Sequence, residues 1–327
     1  MRYEPMVSEP ERKTKKIAFC LHGIVGGIDG KYGVGDSLES LELGYKHYKK
    51  YILDHNDCDV FCHTATLERS DDIINLYDPV SYKFLKQPNF SIPYFDDKGM
   101  ARPIYIGGKD ERVQAHYHKW FSHKQVSDLR KEYEKETGVE YDMMYIGRYD
   151  LAWNTIVDFS KFDRNKFWLG NWNRPFITGE NIYGLNTGDW IEERVWFSKR
   201  KEHNLPFISN NELSEKDIGI ELRSNGWPHN HKAYSPKHGS EGVIDSWAFS
   251  KPEYMDMYCE LYDKIDEYVT RNPNTWSGGT IHDHTGGISN HRLIPCHLEE
   301  MGLLDKLDFA FYFLDEFPTV RRMYYAR

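Results

Sequence analysis

Four groups of residues in this chain carry side chains suited to chemistry. Arg148-Tyr149-Asp150 closes an apolar run that begins at Tyr141. Charges just past a buried strand lie at the edge of a sheet where α/β proteins bind ligands. A carboxylate there can hold Mg²⁺ or Mn²⁺, and an arginine can grip phosphate with a forked pair of hydrogen bonds. The same two residues can instead pair with each other as a structural strand end. Asp245-Ser246-Trp247 offers a general base and an aromatic platform for a sugar ring, or else a cap near the helix that follows. His22-Gly23 opens a stretch with further glycines at 26, 27, 30, 33 and 35. Such a loop brings backbone N–H groups to a phosphate or base, or is simply mobile. His282, His284 and His291 can ligate a transition metal or stand as polar surface.

Strands and helices must bring these groups together. Ile17–His22 is a short apolar run ending in glycine and reads as a buried parallel strand. Ser37–Asp54 carries Leu38, Leu41, Tyr45, Tyr48 and Ile52 on one helical stripe. Asp59–Thr64 is a second buried strand, which completes a strand-helix-strand unit. A short helix over Asp71–Tyr77 ends at Asp78-Pro79, and Tyr82–Leu85 is a third strand candidate. Residues 86–109 read as loop, and Glu111–Thr137 as a long helix stopped by Gly138. Tyr141–Leu151 begins as a strand, and Phe167–Leu169 and Phe309–Leu314 are two more. Lys251–Arg271 and Asn290–Met301 read as helices. Residues 1–15 are a polar arm. Residues 171–240 read as irregular, a length of loop that points to function or mobility. The expected fold is therefore α/β, a single domain over 16–327 around a mixed, mainly parallel sheet flanked by helices.

Composition narrows the function classes. The 327 residues carry a net charge of −9 with a pI near 5.9, and the only compact basic cluster is Arg12–Lys16, ahead of the first strand. That balance argues against a duplex nucleic-acid partner. Five cysteines at 20, 58, 62, 259 and 296 suggest no disulfide framework and fit a reducing, cytoplasmic compartment. The N-terminus does not read as a signal peptide, and no apolar run approaches the roughly 20 residues that cross a bilayer. There is no Gly-x-Ser-x-Gly elbow, P-loop or His-Glu-x-x-His motif, and the glycine spacing is not that of a Rossmann dinucleotide site.

Taken in order, several of these segments resemble small soluble glycosyltransferases of large DNA viruses, phages and bacterial surface-polysaccharide loci. The resemblance runs through Lys16–Gly23, Tyr45–Ile52, Asp59–His63, Tyr141-Asp142, Arg148–Leu151 and Asp245–Trp247. It continues with Ser289–Leu293 and with His297-Leu298 before Gly302. It covers about residues 16–305, apart from 171–240. It implies a GT-A-like fold and a hexosyl- or pentosyltransferase that moves sugar from a nucleotide-diphosphate donor to a glycan or other hydroxyl acceptor. His22, Gly23, His63, Arg148 and Asp150 would hold the donor. Asp245 would serve as base, and Trp247 would face the acceptor. A divalent cation, Mn²⁺ or Mg²⁺, would sit on Asp150 and His291. Arg148 departs from the pattern, because it stands where the first acid of the Asp-x-Asp metal motif would be. A nucleotidyltransferase of related fold, or a sugar-binding module without catalysis, is the alternative. A viral or bacterial glycan and a cytoplasmic setting are the expected context.

Overall fold

The computed structural model describes residues 16–26, 37–91, 110–170, 173–177, 220–224, 243–270, 288–311 and 319–321. The strand β1 (Lys16–His22) is buried on both sides, which is why it reads as an unbroken apolar run. Its side chains alternate. Ile17, Phe19 and Leu21 join one core cluster, and Ala18 and Cys20 join the other. Helix α1 (Ser37–Tyr51) covers the first face and carries Glu39 in its first turn and Lys49 and Lys50 in its last, signs that suit the helix dipole. β2 (Asp57–Thr64) follows. Helix α2 (Ser70–Tyr77) then ends at Asp78, a left-handed residue at φ 43°, before β3 (Ser81–Phe84).

Helix α3 (Asp110–Thr137) lies on the other face of β1, β2 and β3. Gly138 stops it at φ 73°, donating its N–H to Glu134 O at 2.8 Å. β4 (Met143–Arg148) and β5 (Phe167–Gly170) come next. A two-stranded antiparallel ribbon, β6 (Asn173–Ile177) with β7 (Ile220–Ser224), lies within the stretch expected to be irregular. The rest of that stretch, the arm at 1–15 and the loop at 92–109 lie outside the described residues.

Two expectations are corrected beyond this point. Asp245-Ser246-Trp247 leads into a strand, β8 (Trp247–Ser250), and not directly into a helix. The helix expected over Lys251–Arg271 is two, α4 (Pro252–Cys259) and α5 (Leu261–Thr270). The ladder tightens at Glu260, whose carbonyl takes the N–H of Asp263, three residues on, at 2.9 Å. Helix α6 (Asn290–Glu300) and β9 (Leu307–Phe311) complete the described elements.

Among the described residues seven strands form one sheet in the order β3-β2-β1-β4-β8-β5-β9. All run parallel except β8, which is antiparallel to both neighbours. The mixed, mainly parallel sheet between helical layers is thus as expected. Its chain order reverses at β1. β2 and β3 extend to one side and β4 lies on the other, which creates a switch point between β1 and β4.

Helix α1 docks tightly behind that point. A Cβ placed on Gly44 would overlap the carbonyl oxygen of Tyr149, in the turn that follows β4. The neighbour is backbone and cannot swing away. Gly44→Ala is therefore expected to destabilise the protein by about 1–3 kcal/mol, read as a lower midpoint in urea unfolding. An unchanged midpoint would show that this contact does not constrain the fold.

Candidate functional site

The switch point gathers most of the residues singled out in the sequence. His22, the last residue of β1, is the register partner of Arg148, the last residue of β4. Leu21 pairs with Cys62, so His63 lies beside His22 on the next strand. Strand alternation puts His22, His63 and Arg148 on the α3 face, together with Cys20, Phe61 and Ile146. The antiparallel direction of β8 adds the fourth contribution. Gly147 pairs with Trp247, so the start of β8, with Asp245 just ahead of it, reaches the edge where β1 and β4 end.

Gly23 turns the chain after β1 at φ 98° and would meet no atom within 4 Å if given a Cβ. Its requirement is conformational. The segment beyond is tied to the end of β2. Ala65 N–H donates to Gly23 O at 3.4 Å, and Val25 N–H donates to Thr66 Oγ1 at 2.9 Å.

Arg148 and Asp150 form the pair that sequence reasoning left open as structural, with Nη2 donating to Oδ2 at 2.6 Å. They differ in exposure. The Asp150 side chain is 7% exposed, whereas that of Arg148 is 36% exposed. The other carboxylate oxygen, Oδ1, is buried and has no hydrogen-bond partner among the described residues. Gly26 stands against the paired oxygen, where an added Cβ would lie 3.5 Å from Oδ2. The adjacent carboxylate charge favours protonated Arg148 and raises its pKa against the cost of burial.

Asp245 is held from α3. Lys119 donates to its carboxylate at 2.7 Å and also to its backbone oxygen. His291, in the first turn of α6, donates Nδ1–H to Val243 O at 2.8 Å and lies 3.8 Å from the Asp245 carboxylate. Burial opposes ionisation of Asp245, but Lys119, His291 and Arg148 outweigh it and hold the carboxyl well below the usual carboxylate range. Burial pulls the Lys119 pKa down and Arg148 adds to that, while Asp245 works the other way.

Trp247 does not face a ligand. It is 1% exposed and packs between Trp153 and Phe249, with ring centroids at 5.3 and 5.7 Å, on the α1 side of the sheet. The acceptor platform expected there is corrected to a core residue. His282 and His284 lie outside the described residues.

Sequence reasoning missed two members of the site, Lys119 and His123. His123 is buried, its ring centroid lies 3.9 Å from that of His22, and α3 positions it. The signal was present in the helix. His116, Lys119 and His123 follow the same turns as the apolar stripe Val113, Tyr117 and Trp120. The ring nitrogens of His22, His63 and His123 have no hydrogen-bond partner among the described residues.

Among the described residues no group of three or more His, Cys, Asp or Glu is arranged to hold a metal ion. Asp150 and His291 are not joined into such a group, and both carboxylates at this edge already carry a cationic side chain. Oδ1 of Asp150 is buried without a hydrogen-bond partner among the described residues, and Oδ1 of Asp245 lies 3.8 Å from His291 Nδ1. This donor set does not fit the divalent cation that the resemblance implies. No helix among the described residues is long and apolar enough to cross a membrane. No family model matches the chain, and no curated protein matches it in sequence.

The buried imidazoles link the site to pH. Burial first, and Lys83 next, push His63 down to about 4 from an ordinary 6.5. Burial, Lys119, Arg148 and His63 push His22 down, opposed only by Asp245. The unfolded chain then binds more protons than the folded one between pH 6.5 and about 4, so stability falls as pH drops through that window. His63 alone accounts for about 3 kcal/mol of that loss. His63→Leu is expected to flatten the dependence of melting temperature on pH below 6.5. A slope identical to that of the wild type would remove His63 from the account.

Proposed function

We propose that the chain is a glycosyltransferase of GT-A-like fold that takes a hexose or pentose from a nucleotide-diphosphate sugar and passes it to a glycan or other hydroxyl acceptor. One observation carries this reading. His22 and Arg148 sit side by side at the strand reversal, with Asp150 and Asp245 delivered to the same edge. A single antiparallel strand beyond a parallel half-sheet is compatible with the fold that the resemblance implies.

The donor would lie over the ends of β1 and β4. In the transfer, the bond from the anomeric carbon to the diphosphate oxygen breaks and the bond to the acceptor oxygen forms. The acceptor hydroxyl gives its proton to solvent water, and the diphosphate leaves with an added negative charge. Arg148, permanently cationic and the most open of these charges, is placed to meet that charge. Asp150 orients the guanidinium through one oxygen and keeps the other for a donor group on the ligand. Asp245, held ionised by Lys119, is a weak proton acceptor. Its fixed negative charge would instead favour the positive charge that develops on the sugar as the diphosphate departs. No step is routed through a metal ion.

The same weakness of Asp245 as a base favours a second reading, a sugar-binding module without catalysis. Release of nucleoside diphosphate from a panel of nucleotide sugars separates the two. Turnover is expected, and Arg148→Ala should lower it by about 100-fold or more while circular dichroism stays unchanged. Ile156→Ala, at an exposed position, should leave the rate as it was. Folded Arg148→Ala and Asp150→Ala proteins that release diphosphate at the wild-type rate would sink the transferase reading. Sugar binding without any release would favour the module.

A further inference from the structure

We propose that the donor diphosphate is held by two side-chain cations, Arg148 and Lys119, in place of a divalent metal ion. The inference rests on the transferase reading and names the groups that grip the leaving diphosphate.

The first ground is the state of the carboxylates. A metal site at this edge would draw on Asp150 and Asp245, yet Asp150 is paired with Arg148 at 2.6 Å and Asp245 with Lys119 at 2.7 Å. A divalent ion would have to share each carboxylate with a fixed cation, against the repulsion between like charges. The second ground is unused donor capacity. The described structure gives the Arg148 guanidinium one hydrogen bond, and a guanidinium has five N–H groups. Lys119 spends two of its three N–H bonds on Asp245 and keeps one. The third ground is the local field. Lys119 is bonded to Asp245, two residues ahead of Trp247, which pairs with Gly147 beside Arg148; beyond the effect of burial, Arg148 lowers the Lys119 pKa, and both cations act against a positive His22. Around His22, only Asp245 among the named charges favours a positive imidazole. Like charges held together beside a neutral ring make a site that gains from a multiply charged anion. His22 and His123, buried and with ring nitrogens that have no hydrogen-bond partner among the described residues, stand ring to ring at the strand end and on α3.

Isothermal titration of the full chain with UDP, GDP, CDP and ADP, first in EDTA and then with Mn²⁺, tests the assignment. At least one diphosphate is expected to bind in EDTA, with affinity changed less than about threefold by Mn²⁺. Lys119→Met alone leaves the partly buried Asp245 without its lysine, so the informative variant is the double Lys119→Met/Asp245→Asn, which removes both charges. It should weaken diphosphate binding by at least about tenfold, whereas Lys119→Arg should keep most of it. Binding seen only with Mn²⁺ would overturn the inference and leave the transferase reading standing. Binding in EDTA that is indifferent to the double variant would also overturn it. A folded protein that binds no nucleoside diphosphate in either condition would bring down the transferase reading itself.

Discussion

Lys119 and Asp245 hold opposite charges in a largely buried contact, with their side chains 13% and 23% exposed. Removing one partner of such a pair strands a buried charge, which costs far more than the pair contributes. The contact reaches across the molecule, from α3 to the segment that starts β8, and His291 braces that segment from α6. Trp120, one residue on from Lys119, donates its indole N–H to Asn290 at 3.0 Å and draws the same two helices together. Three elements distant in sequence are thus located against the ends of β1 and β4 by polar contacts. The apolar clusters on the two faces of the sheet fill in around them.

The parts of the fold that were legible in the sequence share a physical cause. β1, β2 and β4 are central strands covered on both faces, so they must be continuous apolar runs, and glycine or charge marks their ends. α1 and α3 are long enough for helical periodicity to show, and Gly138 ends α3 by its backbone conformation. β8 was hidden because it is four residues long, buried throughout, and separated by one residue from Pro252. Only its pairing with β4 and β5, both distant in the chain, makes it a strand.

The site was legible in its strand-end residues and obscure elsewhere. His22, Arg148 and Asp150 were visible because the end of a buried strand predicts where a side chain will lie. Lys119 looked like one more charge on a helix rich in charge, and only its place beside the apolar stripe of Val113, Tyr117 and Trp120 marks it as turning inward. Trp247 illustrates the reverse error. Ring type alone does not say whether an indole meets ligand or core, and here packing against Trp153 and Phe249 decides it. Asp245 owes its place beside the strand-end residues to a strand running backwards, which its flanking residues do not announce.

That backward strand has a bearing on how such a protein diversifies. The chain leaves the sheet at Gly170 and returns at Val243, and the two points touch, with Ile244 N–H donating to Gly170 O at 3.3 Å. The chain between them, residues 171–242, therefore leaves and rejoins the described fold at one place. The cost of closing a loop grows only slowly with its length, so residues can be added or removed between those two points while the register of β1 against β4 stays fixed.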